Sequence, residues 1–384
     1  MQFEFSTANR IIFGAGARLK IGQVAKELGS RALVISGIPG KATQELVEIL
    51  DRASVGTTLY SINGEPTVET IQQGVIVARQ YKIDLVIGLG GGSALDCAKA
   101  VAVMLTNPGD LTDYLETIGQ GLSLNKPPIP VILFPTTAGT GSEVTRNAVI
   151  GAPEFGIKVS LRSPLMLPRL AMIDPELTYN LPAELTASTG MDALTQLIEP
   201  FVCNNPNPIT DGLCREGMSH STRALLRAYQ DGHDVEARHD LCIASLFGGM
   251  ALANARLGAV HGFAGVLGGM VLIPHGILCA RLLPIVMEVN LRALNKRLPD
   301  SSFLDRYRQV ACILTSNPKS QASDGVQWVL EHCASMNIQP LGGFGLDRTE
   351  FPEIIGKASQ ASSMKGNPIA LTYDELLEIL ERAI

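Results

Sequence analysis

An α/β domain built on a parallel sheet, followed by an all-helical domain, is the architecture that this 384-residue sequence predicts. Three observations predict it. Apolar, β-branched runs alternate with amphipathic stretches through the first half, the pattern of strands covered on both faces by crossover helices. Strand-like runs stop near Pro182, and long segments rich in Ala, Leu and Met follow. The change coincides with Leu181-Pro182, where proline disfavours helix on its N-terminal side. These observations place one domain at 1–182 and a second at 183–384, in line with the length.

The elements follow in order. Arg31-Ala-Leu-Val-Ile-Ser36 is a strand that breaks at Gly37-Ile-Pro-Gly40. Asp84-Leu-Val-Ile-Gly-Leu89 and Pro130-Val-Ile-Leu-Phe-Pro135 are further strands, and Thr43 to Ala53 and Val68 to Tyr81 are amphipathic helices between them. In the second half, Ala183 to Val202, Gly212 to Tyr229, Glu236 to Asn254 and the stretches after Gly276 read as helices.

Composition excludes several classes. With 46% hydrophobic and 18% charged residues, the chain buries a large core and is not disordered. The 31 basic residues against 37 acidic ones form no basic block, so a nucleic-acid partner is not expected. Seven scattered cysteines without a CxxC pair read as reduced core thiols, hence a cytoplasmic setting. The N-terminus lacks the apolar core of a secretory signal. Leu257 to Ala280 carries no charged residue and has the length of a membrane span, but its six glycines, two histidines and Pro274 favour a buried helix pair, so no membrane partner is expected.

Two loops carry chemistry. Leu85-Val-Ile-Gly-Leu-Gly90-Gly91-Gly92-Ser93-Ala-Leu-Asp96 is a strand, a glycine turn and a helix start. Glycines there let backbone N–H groups approach a ligand, and the helix N-terminus suits a phosphate. The spacing matches neither GxGxxG nor a Walker A. The plainer alternative is a turn, with Ser93 and Asp96 as a capping pair. The second loop, Pro135-Thr136-Thr137-Ala-Gly-Thr-Gly-Ser142-Glu-Val-Thr145, has five hydroxyls and two glycines after a parallel-type strand. Open α/β sheets bind ligands at that end, so the pair of loops favours a nucleotide.

Asp192 and Gln196 lie one helical turn apart, and His261 and His275 occupy the least charged part of the chain. One carboxylate and two imidazoles can hold a divalent metal such as Fe(II) or Zn(II), although a histidine satisfied within the core explains either imidazole taken singly. His220, His233, His239 and His332 sit among polar neighbours and read as solvated; Cys242 and Cys279 read as buried thiols rather than reactive ones.

Taken together, Gly-Gly-Gly-Ser93-x-x-Asp96-x-x-Lys99, Pro135 to Thr145, Asp174-Pro-Glu-Leu-Thr178, Gly190-Met-Asp192-Ala-Leu-Thr, Gly258-Ala-Val-His261 and Pro274-His275-Gly276 resemble the iron-containing (group III) alcohol dehydrogenases, in family order and spacing. The resemblance implies the dehydroquinate synthase-like fold: a dinucleotide-binding α/β domain and a helical domain, with the active site in the cleft. It implies interconversion of a small alcohol with its aldehyde or ketone by hydride transfer with NAD(P), in a homodimer or larger assembly. The cofactor positions it implies are Gly90, Gly91, Gly92, Ser93, Asp96, Thr136, Thr137, Ser142 and Thr145, with Lys158 added. In that family a metal held by one Asp and three His polarises the substrate oxygen. Asp192, His261 and His275 match that set. Gln196 stands where the second ligand is His, and Gly265 where a further His lies near the nicotinamide.

A neutral amide oxygen is a poorer ligand than imidazole. Three outcomes follow: a metal held weakly by three residues and water, catalysis without metal using His261 or His275 as proton donor, or loss of catalysis. No acid follows the strand ending at Ser36-Gly37-Ile38-Pro39-Gly40, which predicts that NADP(H) is tolerated, with preference for it as the further expectation. Reduction of an oxo-acid, as by maleylacetate reductases, a lyase of the dehydroquinate synthase type, and a non-catalytic cofactor-binding relative are the other readings.

Overall fold

The computed structural model describes residues 2–38, 40–116, 118–155 and 157–384. Two compact units result: Ser6–Thr137 with Gly141–Tyr179, and Asn180–Ile384 with Met1–Phe5 and Ala138–Thr140. Two short segments from within the first 182 residues thus group with the helical unit.

Among the described residues the α/β unit has eight strands, β1 (Ile11–Phe13), β2 (Arg31–Ser36), β3 (Gly56–Ser61), β4 (Leu85–Gly90), β5 (Val131–Pro135), β6 (Asn147–Ala152), β7 (Ile157–Arg162) and β8 (Leu170–Ile173). Six of them form one parallel sheet in the order β1-β8-β5-β4-β2-β3. β6 and β7 form a separate antiparallel pair. Helices α1 (Ile21–Leu28), α2 (Lys41–Arg52), α3 (Val68–Gln80), α4 (Gly92–Met104) and α5 (Leu111–Tyr114) belong to this unit.

Strand alternation decides which residues meet which helix. Leu33 and Ile35 of β2, Val86 of β4, and Val131 and Leu133 of β5 pack with α3 and α4 residues such as Ile71, Val75 and Leu95. Their neighbours Ala32, Val34, Leu85, Ile87, Ile132 and Phe134 pack with α1 and α2 through Ile21, Val24, Leu46 and Leu50. Both faces are apolar because both are covered. At the end of β8, the buried Asp174 carboxylate accepts backbone N–H bonds from Gly16 (3.1 Å) and Arg18 (3.2 Å) and pairs with the Arg18 guanidinium (2.8 Å). That gives the Asp174-Pro-Glu motif a structural role.

The helical unit holds α6 (Ala183–Val202), α7 (Pro208–Gln230), α8 (Val235–Asn254), α9 (Ala259–Met270), α10 (His275–Arg297), α11 (Ser302–Leu314), α12 (Ala322–Ser335), α13 (Phe351–Gln360) and α14 (Tyr373–Ala383). The uncharged stretch around Leu257 to Ala280 becomes α9 and the start of α10, with most α9 side chains up to Leu267 buried. Among the described residues no single helix is long and apolar enough to cross a membrane. Gly276 allows the start of α10 to lie against α6, since a Cβ there would overlap the Ser188 backbone carbonyl.

Gly88 plays the corresponding part in the sheet. Its Cβ would stand 2.8 Å from Leu133 Cδ2 and 2.9 Å from Ala98 Cβ. Gly88→Ala is therefore expected to destabilise the protein by about 1–3 kcal/mol through overpacking. Urea unfolding checks this; an unchanged midpoint would contradict the packing.

Candidate functional site

Helix α6 presents Asp192, Gln196 and Glu199 at spacings of four and three residues, on one buried face. Glu199 organises the next helix. The N-cap of α9, Gly258, offers no side chain, so Glu199 takes that role. Its carboxylate accepts from the Val260 N–H at 2.7 Å and lies 2.7 Å from His261 Nδ1. A Cβ at Gly258 would stand 2.7 Å from Glu199 Oε1, which is why this close approach needs glycine. With Nδ1 bound to a carboxylate, His261 directs Nε2 to Asp192 Oδ1, 3.4 Å away. His275, the first residue of α10, places its Nε2 3.7 Å from the same oxygen. Cys279, one turn further along α10, brings its Sγ to 3.6 Å from His275 Nε2 and 3.9 Å from His261 Nε2. The ligating atoms of Asp192, His261, His275 and Cys279 all lie within 4.8 Å of one another.

Among the described residues, Asp192 Oδ1 and Gln196 Oε1 are buried without accepting a hydrogen bond of normal geometry; Asp192 Oδ1 has only the two imidazoles facing it, and the Gln196 amide N–H donates to the Gly139 carbonyl at 3.4 Å. Buried carboxylates are paired or coordinate metals, because an unsatisfied one costs several kcal/mol. In a tetrahedral shell with bonds of about 2.1 Å, ligand atoms stand about 3.4 Å apart. The Asp192–imidazole separations of 3.4 and 3.7 Å suit that shell. The residues present therefore fit a divalent cation. Burial would raise the Asp192 carboxyl, but the facing His275 and His261 hold it below its ordinary range. Burial opposes protonation of His261, yet the Cys279 sulphur, Asp192 and Glu199 together hold its pKa well above the ordinary value.

In the α/β unit, Gly90 ends β4 at φ 152°, and its Cβ would stand 2.7 Å from Ala94 Cβ. Gly91 is the N-cap of α4, and no side chain caps that helix. The first-turn donors at Gly92 and Ser93 are thus not taken by a cap. The Ser93–Asp96 capping alternative does not form, because Asp96 is drawn elsewhere. Its Oδ1 accepts from Ser142 Oγ at 2.6 Å, its Oδ2 from the Val149 N–H at 2.8 Å, and Lys99 Nζ lies 3.0 Å away. Lys99 Nζ also donates to the Ser142 carbonyl and Thr145 Oγ1, each at 3.0 Å, and to the Asn147 carbonyl. Asp96, Ser142 and Thr145 therefore come together around a fully buried lysine and fix the threonine-rich loop beside α4. Beside them, burial pushes the Glu143 carboxyl up to about 7. Thr136 Oγ1 is buried with no hydrogen-bond partner. Thr137 stands next to Gly91, its Oγ1 3.4 Å from the position of a Cβ there. Lys158 lies apart from this network on β7, paired with Glu65 at 2.6 Å. After β2, the Ser36 hydroxyl donates to the Ile38 carbonyl at 2.9 Å and contacts Thr43 Oγ1 at 2.8 Å; Pro39 lies outside the described residues.

Sequence reasoning missed Glu199, Lys99 and the placement of Cys279. The signals were there: Glu199 is seven residues after Asp192 on the same helix face, and Cys279 is four after His275. Cys279 is indeed buried, but beside two imidazoles. His220, expected to be solvated, is buried, with Nδ1 2.8 Å from Asp240. His332 stacks on Trp328 with ring centres 3.5 Å apart.

Comparison with known proteins identifies the family. Residues 8–175 match the family model for iron-containing alcohol dehydrogenase, and residues 186–384 match the C-terminal model of the same family. Alcohol dehydrogenase 4 of Schizosaccharomyces pombe is 36% identical, covering 97% of this chain and 87% of that protein. The 1,3-propanediol dehydrogenase of Klebsiella pneumoniae is 31% identical, covering 99% and 98%. Among solved structures, a 1,3-propanediol oxidoreductase superposes with a TM-score of 0.92 at 30% identity over the whole of both chains. A sulfoacetaldehyde reductase of Bifidobacterium kashiwanohense in complex with NAD+ gives 0.88 at 25% identity, covering 100% of this chain and 99% of that one. The chain belongs to the iron-containing alcohol dehydrogenase family, and it is an alcohol dehydrogenase by class.

Two outcomes follow from the site. Glu199→Gln keeps the shape but removes the charge that orients His261, and is expected to weaken metal binding by about 10–100-fold; competition with a chromophoric chelator measures it, and unchanged affinity would contradict the orienting role. Gly265 is an exposed position inside α9, and a Cβ there meets nothing within 4 Å. Gly265→Ala is therefore expected to stabilise the protein by about 0.5–1 kcal/mol. A lowered urea midpoint would show that the glycine is needed for more than the missing imidazole.

Proposed function

We propose that this alcohol dehydrogenase interconverts a small alcohol with its aldehyde or ketone by hydride exchange with NAD(P), and that a divalent cation, Fe(II) or Zn(II), is held by Asp192, His261 and His275. Gln196 in place of a third imidazole weakens that centre. One observation carries the proposal: a buried carboxylate oxygen that accepts no hydrogen bond of normal geometry, 3.4 and 3.7 Å from two imidazole nitrogens. When bound, the nicotinamide supplies or accepts hydride and the cation supplies Lewis acidity at the substrate oxygen.

The chain's own residues do the rest. Gly90, Gly91 and Gly92 keep Cβ atoms away from the pyrophosphate, and the uncapped first turn of α4, including Ser93, offers it backbone donors. Thr136 and Thr137 offer hydroxyls to the cofactor, and Thr136 Oγ1 has no competing partner. Asp96, Ser142 and Thr145 act by setting that loop through Lys99. Lys158 is held by Glu65 and contributes a cation only if that pair opens. Glu199 holds the His261 ring by Nδ1, leaving Nε2 for the cation. In the absence of a cation, His275, with a side chain 36% exposed against 7% for His261, is the imidazole placed to exchange a proton with solvent. None of the seven cysteines is in a disulfide, which suits a reducing, cytoplasmic compartment, and the family resemblance supports a homodimer or larger assembly.

The experiment is net oxidation of NADPH and NADH across short aldehydes, ketones and oxo-acids, with and without added Zn(II) or Fe(II). Cation-dependent accumulation of oxidised cofactor is the expected result. Carbonyl reduction independent of any cation would move polarisation to His261 and His275. Product without net cofactor change would indicate a lyase, and cofactor binding without turnover a non-catalytic relative.

The loop after β2 holds its hydroxyls to one another and carries no acid to repel a 2′-phosphate. NADPH is expected to bind at least as tightly as NADH. Calorimetric titration tests this, and NADPH binding tenfold weaker, a gap of about 1.4 kcal/mol, would contradict it.

A further inference from the structure

The centre contains one donor that neither the family's ligand set nor the proposed function uses. We propose that the Cys279 thiolate is a protein ligand of the cation, taking the place left by the imidazole that Gln196 replaces, and that it turns the site toward Zn(II) and away from Fe(II). The proposal rests on the reading that Asp192, His261 and His275 hold a divalent cation.

Position comes first. Cys279 follows His275 by four residues on α10, so a single helix face delivers an imidazole and a thiol to one point. The sulphur is fully buried, and its hydrogen-bond contacts among the described residues are to the two imidazole nitrogens, at 3.6 and 3.9 Å. The thiols of Cys312 and Cys333 instead donate to backbone carbonyls, as core thiols do. A Zn–S bond of about 2.3 Å lengthens the sulphur edges of a tetrahedral shell to about 3.6 Å. One sulphur–nitrogen separation, 3.6 Å, equals that value and the other, 3.9 Å, lies slightly above it, so one ion can touch all three atoms after small shifts. Asp192 Oδ1, buried and facing the same two imidazoles, completes a set of four donor atoms that all lie within 4.8 Å of one another.

Charge and softness agree with position. A buried divalent cation is best matched by two negative ligands, and Asp192 supplies one. Glu199 is already engaged by the first N–H groups of α9 and by His261 Nδ1. The Cys279 thiolate supplies the second. On metal binding the S–H bond is exchanged for a sulphur–metal bond and the proton leaves to solvent, with no change of oxidation state. Gln196 offers only a neutral oxygen, and its amide N–H is turned to the Gly139 carbonyl. A thiolate beside two imidazoles and a carboxylate is a donor set that suits Zn(II) better than Fe(II).

Titration of the metal-free full-length protein with Co(II), which reports its ligands by absorption, tests this. The expected result is one equivalent bound, with a near-ultraviolet sulphur-to-cobalt charge-transfer band. In Cys279→Ser and Cys279→Ala that band disappears, and affinity for Co(II) and Zn(II) falls at least roughly tenfold, the low end of what losing even an outer-shell partner costs. Cys312→Ser keeps the band. Co(II) bound without the band in the wild type, or with a band that survives in Cys279→Ser, would overturn the thiolate ligand and leave the three-residue centre standing. No Co(II) binding at all would overturn both.

Discussion

The Asp192 carboxylate, buried in the middle of α6 with one oxygen facing two imidazoles, is the constraint around which the helical unit is arranged. A buried anion must find positive charge nearby, or its burial would outweigh much of the fold's modest net stability. Every neighbouring feature answers to that need. Glu199 caps α9 and turns His261 toward Asp192. Gly258 allows Glu199 to reach the α9 terminus, and Gly276 allows α10 to start against α6, which delivers His275. None of these glycines has a side chain to offer a cation. Each removes a Cβ that would push a donor out of reach.

The α/β unit solves a different problem with a similar device. A lysine with no exposure to water needs partners on every side, and Lys99 has them in Asp96, Thr145 and two backbone carbonyls, with Asn147 providing one. Burial alone would lower the lysine's pKa, and Asp96 opposes this. The network ties the threonine-rich loop to α4. That loop carries Thr136 and Thr137, whose hydroxyls the proposed cofactor would meet. Residues that look like ligand contacts in a motif thus divide into those that face a ligand and those that hold the loop in shape.

Much of this was legible in the sequence. β2, β4 and β5 appeared as apolar runs because both their faces are buried, and Ala183–Val202 appeared as a helix with its observed limits. β1 and β8 escaped because Ile11–Phe13 and Leu170–Ile173 are too short to show a period. β3, Gly-Thr-Thr-Leu-Tyr-Ser, lies at the sheet edge and is half exposed, so it lacks the apolar run. Asp192, His261 and His275 were readable as a set only through family order, since 69 residues separate the first two. Cys279 was visible as a spacing from His275, but burial alone could not distinguish a core thiol from one beside two imidazoles. Asp96 was legible as part of a motif; its partners depend on loops that come together only in the fold.

The central claim is that the buried Asp192 oxygen between His261 and His275 belongs to a cation. Elemental analysis of the purified protein beside Asp192→Asn tests it most directly, with circular dichroism to confirm that the variant folds. Near one equivalent of metal in the wild type and almost none in the folded variant is the predicted result. Equal metal content in both, or no metal in a wild-type protein that nonetheless reduces carbonyl substrates, would contradict it.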